Sequence, residues 1–591
     1  MYINLRKLLT VKFIFLFIFL SSNAYTQEIK FKIIETSDVH GAVFPYDFIN
    51  AKDKNRSLAQ VYSYVKEERE KDQNVILLDN GDILQGQPLV YYYNFIKTDT
   101  THIIPQVMNY MEYDAGTIGN HDIETGHKVY DRLKKEFNFP WLAANAVDEI
   151  NGDPYFEPYL IIEDDGIKVA VLGLITPAIP KWLPPQIYSG IIFTDMIEAA
   201  KKWMEIIKAK ENPDLMVGLF HAGLDETYNN ENGTIYLNEN ASKLVAQNVP
   251  GFDIIYVGHD HEGWDTTITN SAGAEVLLLG PRGGAANVAV AEAVFSVDEN
   301  SDVKLKSIDG YLVETDSLKA DEKFLQKFKY DFNETEKFVS RRLGTIGSTI
   351  SSKDALFGNS AFTDLIHKIQ LDISDADISF AAPLTFNSSI DSGDVFVRDM
   401  FNLYKYENLL YTMRLSGKEI KDYLEFSYAN WLNTMKDGKD HLLNFEKDSL
   451  GNFIKSDRSG SYKLASRYYN FDSAEGIDYI VDVSKPAGER IKIISMSNGE
   501  NFDVNKNYEV AVNSYRGNGG GNHLTEGAGI EREELQKRII NSTEKDLRYY
   551  MMEWFSENEN VTVKETENWK IIPDSLRKKG EERDRQILFG E

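Results

Sequence analysis

Short apolar runs recur through the first half of the chain, separated by longer stretches of mixed character. Residues 29–34, 75–78, 115–118, 169–174, 215–220 and 254–257 read as buried strands. Between the first two lies 58–70, where Val61 and Val65 fall on one face of a helix. Strands alternating with helices predict an α/β layered domain over residues 28–309. Residues 317–342 then read as a charged linker helix. Its Phe324, Phe328 and Phe332 recur at i, i+4 and i+8 and form one aromatic stripe for packing on a neighbour. From 343 to 573 the composition shifts toward Tyr, Asn and Ser with mixed strand and helix patterns, which predicts a second domain. Residues 574–591 read as a charge-dense, solvated tail. No repeat of fixed period interrupts this plan.

The N-terminus has a different pattern. Arg6, Lys7 and Lys12 precede the apolar run 13–20, and Ser22, Asn23 and Ala24 offer small residues for cleavage. Residues 1–24 therefore read as a signal peptide, since the run is short of the ~20 residues that span a bilayer. No later segment reads as a transmembrane helix. The chain has 591 residues and no cysteine, so it has no disulfide framework, thiolate metal ligand or lipid-modified cysteine. An exported, periplasmic protein stabilised by core burial and bound metal fits these facts. The formal net charge is −28, and removal of Arg6, Lys7 and Lys12 makes it more negative. Such a surface repels nucleic-acid polymers, while small anionic substrates can still approach bound divalent cations.

Five of the ten histidines fall in short motifs that follow apolar runs. In order these are SDVHG (Asp38, His40), DNGD (Asp82), GNHD (Asn120, His121), FHAG (His221) and GHDH (His259, His261). Together they supply Asp, Asn and His ligands for two adjacent metal ions, a donor set suited to phosphate-ester hydrolysis. The spacing of two in Asp38/His40 and His259/His261 sets each pair on one side of an extended backbone. The Asp82 carboxylate can bridge two cations about 3.5–4 Å apart. Asp79, Asp122 and Asp260 read as supports for these turns. His102, His127, His367, His441 and His523 read as structural or surface residues.

The order DxH, GD, GNH[DE], H, GHxH resembles the calcineurin-like metallophosphoesterases, and within them the bacterial 5′-nucleotidase family. That resemblance implies a four-layer α/β/β/α sandwich with two divalent metal ions, for which zinc, manganese, iron or cobalt suit the donors. One metal would take Asp38, His40, Asp82 and His261, and the other Asp82, Asn120, His221 and His259. His121 would stabilise the transition state and protonate the leaving oxygen. Glu124 stands where the family often has an Asp that orients this histidine.

Further on, FGNSAFTDLIHKI, RYYNFDSAEGIDYIVDV and VNSYRGNGGGNHL resemble the family's C-terminal, α+β substrate-binding domain. The match puts a base-stacking pair at Tyr469 and Tyr515, with Tyr468 and Phe471 the neighbouring alternatives. Gly519, Gly520 and Gly521 would let backbone approach a ligand, and Arg516 or Asn522 could reach a ribose or base edge. The implied activity is an exported phosphohydrolase that opens 2′,3′-cyclic nucleotides and then hydrolyses the resulting 3′-nucleotides. Domain rotation would accompany it. A 5′-nucleotidase or UDP-sugar hydrolase is the alternative. A non-catalytic nucleotide-binding surface protein is disfavoured, because every ligand position is filled. Small nucleotides are the expected partners; the sequence leaves oligomeric state open.

Overall fold

The computed structural model describes residues 27–71, 74–227, 237–298, 302–456 and 460–591, so the signal-peptide reading of 1–24 lies outside the described residues. The sheets of the first domain begin with strands β1 (Gln27–Thr36), β2 (Asn74–Asp79), β3 (Ala115–Thr117) and β4 (Trp141–Leu142). They continue with β5 (Tyr159–Asp164), β6 (Ile167–Ile175), β7 (Leu215–His221) and β8 (Ile254–Val257). The last four are β9 (Trp264–Thr269), β10 (Glu275–Gly280), β11 (Asn287–Val297) and β12 (Val303–Glu314). One six-stranded sheet has the order β12-β11-β1-β2-β3-β4, the other β9-β10-β8-β7-β6-β5.

The runs β1-β2-β3-β4 and β6-β7-β8-β10 are parallel, which is why these strands are apolar on both faces. Ile33, Leu78 and Ala115 of one sheet meet Val169, Leu219 and Tyr256 of the other in a single core. Helices α1 (Leu58–Glu70), α2 (Ile103–Met111) and α3 (His127–Glu136) cover the outer face of the first sheet. Helices α4 (Met196–Lys210) and α5 (Ser242–Asn248) cover the second. The result is an α/β/β/α sandwich.

The linker is two helices, α6 (Glu322–Lys327) and α7 (Lys329–Val339), interrupted at Phe328. Phe328 leaves helical geometry with its ring buried against Phe324 (4.9 Å) and Tyr110 (5.6 Å). Phe332 packs on Phe44, Tyr46 and Phe48. The aromatic stripe therefore fastens the linker to the first domain.

The second domain centres on a five-stranded sheet of Ser473–Glu475, Ile378–Ala381, Asn507–Asn513, Leu410–Ser416 and Ile539–Ser542, in that spatial order. The C-terminal stretch departs from a solvated tail. Asp574–Phe589 is a helix, α8, in which Gly580 and Asp584 are buried. Asp584 accepts the backbone N–H groups of Leu442 and Leu443 (both 2.8 Å) and the His441 Nδ1 proton (2.5 Å). The dense charge instead pairs along the other side of the helix, as in Arg577–Glu581 and Arg585–Glu581. No helix among the described residues is long and apolar enough to cross a membrane.

Candidate dinuclear metal centre and facing cleft

The seven proposed donors all lie at the carboxyl ends of parallel strands. Asp38 and His40 follow β1, Asp82 follows β2 and Asn120 follows β3; His221 ends β7, and His259 and His261 follow β8. Bonds between the sheets bring the two edges together: the Tyr256 hydroxyl donates to the Ile33 carbonyl (2.8 Å), and Thr117 Oγ1 to that of Leu219 (3.0 Å). Two donor groups result. Asp38, His40, Asp82 and His261 each offer one atom within 4.8 Å of the others, as do Asp82, His221 and His259. Asn120 Oδ1 joins the second group, 3.1 Å from His221 Nε2 and 2.8 Å from His259 Nδ1.

The local backbone differs from extended alternation. Asp38, His40, Asp82, His259 and His261 all have left-handed φ, between 49° and 77°. Each such conformation costs on the order of 1–3 kcal/mol and persists only where its surroundings enforce it. Asp122 supplies much of that enforcement. Its carboxylate accepts N–H bonds from Gly119 (2.8 Å), Asp82 (2.9 Å), Ile83 and Leu84 (both 3.0 Å). Asp260 likewise accepts from Leu224, Glu262 and the Trp264 indole. Asp79 accepts from Thr36 and Gly81. Gly119 has no alternative: a Cβ there would lie 2.2 Å from Asp82 Oδ1.

The donor set fits cations. His40 Nδ1 donates to the Gln85 carbonyl (2.9 Å) and His221 Nδ1 to that of Asn80 (2.5 Å). With the proton on Nδ1, each Nε2 presents a lone pair. His40 Nε2 then faces His261 Nε2 at 3.0 Å, and His221 Nε2 faces Asp82 Oδ2 and Asn120 Oδ1, both at 3.1 Å. Electron pairs held so close repel unless positive charge lies between them. Asp82 Oδ2 is buried without a hydrogen-bond partner. Burial and the neighbouring His261 hold His40 down at about 3, and burial and His221 hold His259 at about 3, so both rings are neutral donors near pH 7. His221 is lifted to about 10, because Asp82 outweighs its burial. A proton and a divalent cation thus compete for the same gap.

His121 stands apart from this set. Its backbone N–H donates to Asp82 Oδ1 (2.8 Å), and its Nδ1 donates to Glu124 Oε2 at 2.6 Å, leaving Nε2 uncommitted. Burial opposes charge on the ring, but Asp82 and Glu124 outweigh it and raise the imidazole to about 9.

The second domain faces this centre through several contacts. Gln85 Nε2 reaches the Lys405 carbonyl (3.4 Å), the Tyr91 hydroxyl donates to Asp546 (3.0 Å), and Asn518 Nδ2 donates to the Trp182 carbonyl (3.3 Å). The Trp182 ring stacks on His259 at 5.6 Å. Tyr469 and Tyr515 are both half-buried. Their loops are tied by Arg516, whose guanidinium holds both Asp472 oxygens (2.7 and 3.1 Å) and the Gly520 and Tyr469 carbonyls. Arg516 is thereby committed to the chain itself and not to a ligand. Asn522 forms a left-handed turn, φ 63°. A Cβ on Gly520 would lie 2.6 Å from the Tyr515 ring, so this glycine admits the ring. Phe471 is in the core, stacked on Trp431 at 5.2 Å, and Tyr468 packs on Phe386. Sequence reasoning missed Asn80, Gln85, Trp182 and residues 405–408. The first two act through backbone carbonyls, which no residue type betrays, and the others carry no motif.

Residues 31–263 match the calcineurin-like phosphoesterases, and residues 340–526 match the 5′-nucleotidase C-terminal domain. The trifunctional nucleotide phosphoesterase protein YfkN of Bacillus subtilis is 26% identical over 93% of this chain, which spans only 39% of that relative. The 2′,3′-cyclic-nucleotide 2′-phosphodiesterase/3′-nucleotidase of Yersinia enterocolitica is 27% identical, over 84% of this chain and 82% of its own. A candidate 5′-nucleotidase structure from Staphylococcus aureus shares the fold with a TM-score of 0.73 at 22% identity, covering 92% of this chain and 99% of that one. The chain combines a calcineurin-like phosphoesterase domain with a 5′-nucleotidase C-terminal domain. It is a metal-dependent phosphoric ester hydrolase, and its cofactor is a pair of divalent metal ions.

Proposed function

We propose that the chain opens 2′,3′-cyclic nucleotides at the 2′ ester and then hydrolyses the 3′-nucleotides to nucleoside and phosphate. The observation that carries this reading is the convergence of seven nitrogen and oxygen donors opposite a nucleotidase-type second domain. Asp38, His40, Asp82 and His261 hold one cation; Asp82, Asn120, His221 and His259 hold the other. Bound there, two divalent cations lower the pKa of water toward neutrality and offset charge on the phosphoryl oxygens. His121, oriented through Nδ1 by Glu124, uses Nε2 to stabilise the transition state and to protonate the leaving 2′ or 3′ oxygen. Both reactions develop the same charge on phosphorus, so one site serves both.

Tyr469 and Tyr515 stack on the base, a contact worth about 1–3 kcal/mol per base and tolerant of base identity. The charge pattern of residues 1–24 supports export to the periplasm, where small nucleotides are the substrates. The test is a side-by-side rate comparison on 2′,3′-cyclic AMP, 3′-AMP and 5′-AMP with metal-loaded protein. Faster turnover of the first two is expected. A faster 5′-AMP reaction would make 5′-nucleotidase the activity.

A further inference from the structure

A nucleotide whose phosphate meets the metal centre and whose base meets Tyr469 and Tyr515 must pass its sugar between them. Tyr406 occupies that interval. Its half-buried ring stands edge-on to Tyr469, with centroids 6.3 Å apart and planes at 83°. Its phenol is within electrostatic reach of Tyr515 on one side and of Glu124, the partner of His121, on the other.

The segment that carries Tyr406 is fixed at both ends. On one side the Lys405 carbonyl accepts from Gln85 (3.4 Å), whose own carbonyl orients His40, and from the buried Arg548 (2.5 Å). On the other, Asn408 Oδ1 accepts the Tyr515 N–H (3.3 Å), and the Leu409 carbonyl accepts that of Ser514 (2.8 Å). The ring is therefore held in register with the metal loop and with the Tyr515 loop at once. A hydroxyl presented at that point, beside an aromatic face, is chemically matched to a sugar hydroxyl.

We infer that Tyr406 is a specificity-determining residue that forms the sugar-facing wall of the cleft and hydrogen-bonds a ribose hydroxyl of the substrate. The inference rests on the nucleotide reading above, and the test separates the two. Wild type, Tyr406→Phe and Tyr406→Ala are compared on 3′-AMP, its 2′-deoxy analogue and bis-p-nitrophenyl phosphate. Loss of one neutral hydrogen bond should raise KM for 3′-AMP about 3–10-fold in Tyr406→Phe, with kcat little changed. The Ala variant should lose more, and all three proteins should hydrolyse the aryl diester alike.

If the phenol contacts the 2′-hydroxyl, the wild-type preference for 3′-AMP over the deoxy analogue disappears in Tyr406→Phe. If both KM values rise together, another sugar hydroxyl is the partner and the wall stands. Unchanged KM on both nucleotides in Tyr406→Phe, or equal losses on the aryl diester, would overturn the inference. A wild type that cleaves the diester but neither nucleotide would overturn the nucleotide reading itself.

Discussion

Asp82 is the residue on which most of the centre depends. One carboxylate borders both donor groups, accepts the His121 N–H through Oδ1, and leaves Oδ2 buried with no hydrogen-bond partner 3.1 Å from His221 Nε2. Asp82→Ala should therefore abolish hydrolysis and weaken both metals together; two metals retained with near-normal turnover would mean the bridge lies elsewhere. His121 makes the opposite prediction. It touches the ligand set only through its backbone, so His121→Ala should keep both metals and lose about 10²–10⁴-fold in kcat. Collapse of metal content in that variant would make His121 a ligand. Glu124→Gln should lose less, because it acts on the substrate only by fixing the His121 ring.

Elements explain why some of this was legible in the chain and some was not. An apolar run followed by Asp, Asn or His marks the end of a buried strand, and 254–257 and 58–70 coincide with β8 and α1 to the residue. The DxH and HxH spacings were legible too, but their geometry was not. Left-handed turns, not strand alternation, direct these side chains, and such turns depend on an acceptor such as Asp122, forty residues from the loop it holds. The C-terminal stretch misleads for a related reason. Charges repeating every four residues look the same on a solvated tail and on the outer face of a docked helix. Only burial of Gly580 and Asp584 distinguishes them. Asp584→Ala strands the buried Leu442 and Leu443 N–H groups. It should lower stability by about 1–3 kcal/mol in urea unfolding. A change within ~0.5 kcal/mol, as for an ordinary surface site, would mean that the helix is held by other contacts.

At the scale of the whole molecule, ester chemistry and base recognition are assigned to different domains. The donors lie between Asp38 and His261, while Tyr469 and Tyr515 lie more than two hundred residues later on loops joined by Arg516. Only a few contacts bring the halves together, among them Gln85 to Lys405, Tyr91 to Asp546 and Asn518 to Trp182. Replacing both tyrosines with Ala should leave hydrolysis of bis-p-nitrophenyl phosphate largely intact, since that substrate needs the metal centre but no base contact. Nucleotide hydrolysis should fall through KM, by up to ~2–6 kcal/mol if both stacking contacts are lost. Equal losses on both substrates would make the tyrosines part of the fold, and no loss on either would move the base to another wall of the cleft. Tyr468 is then the next ring to test, because Phe471 is closed off against Trp431.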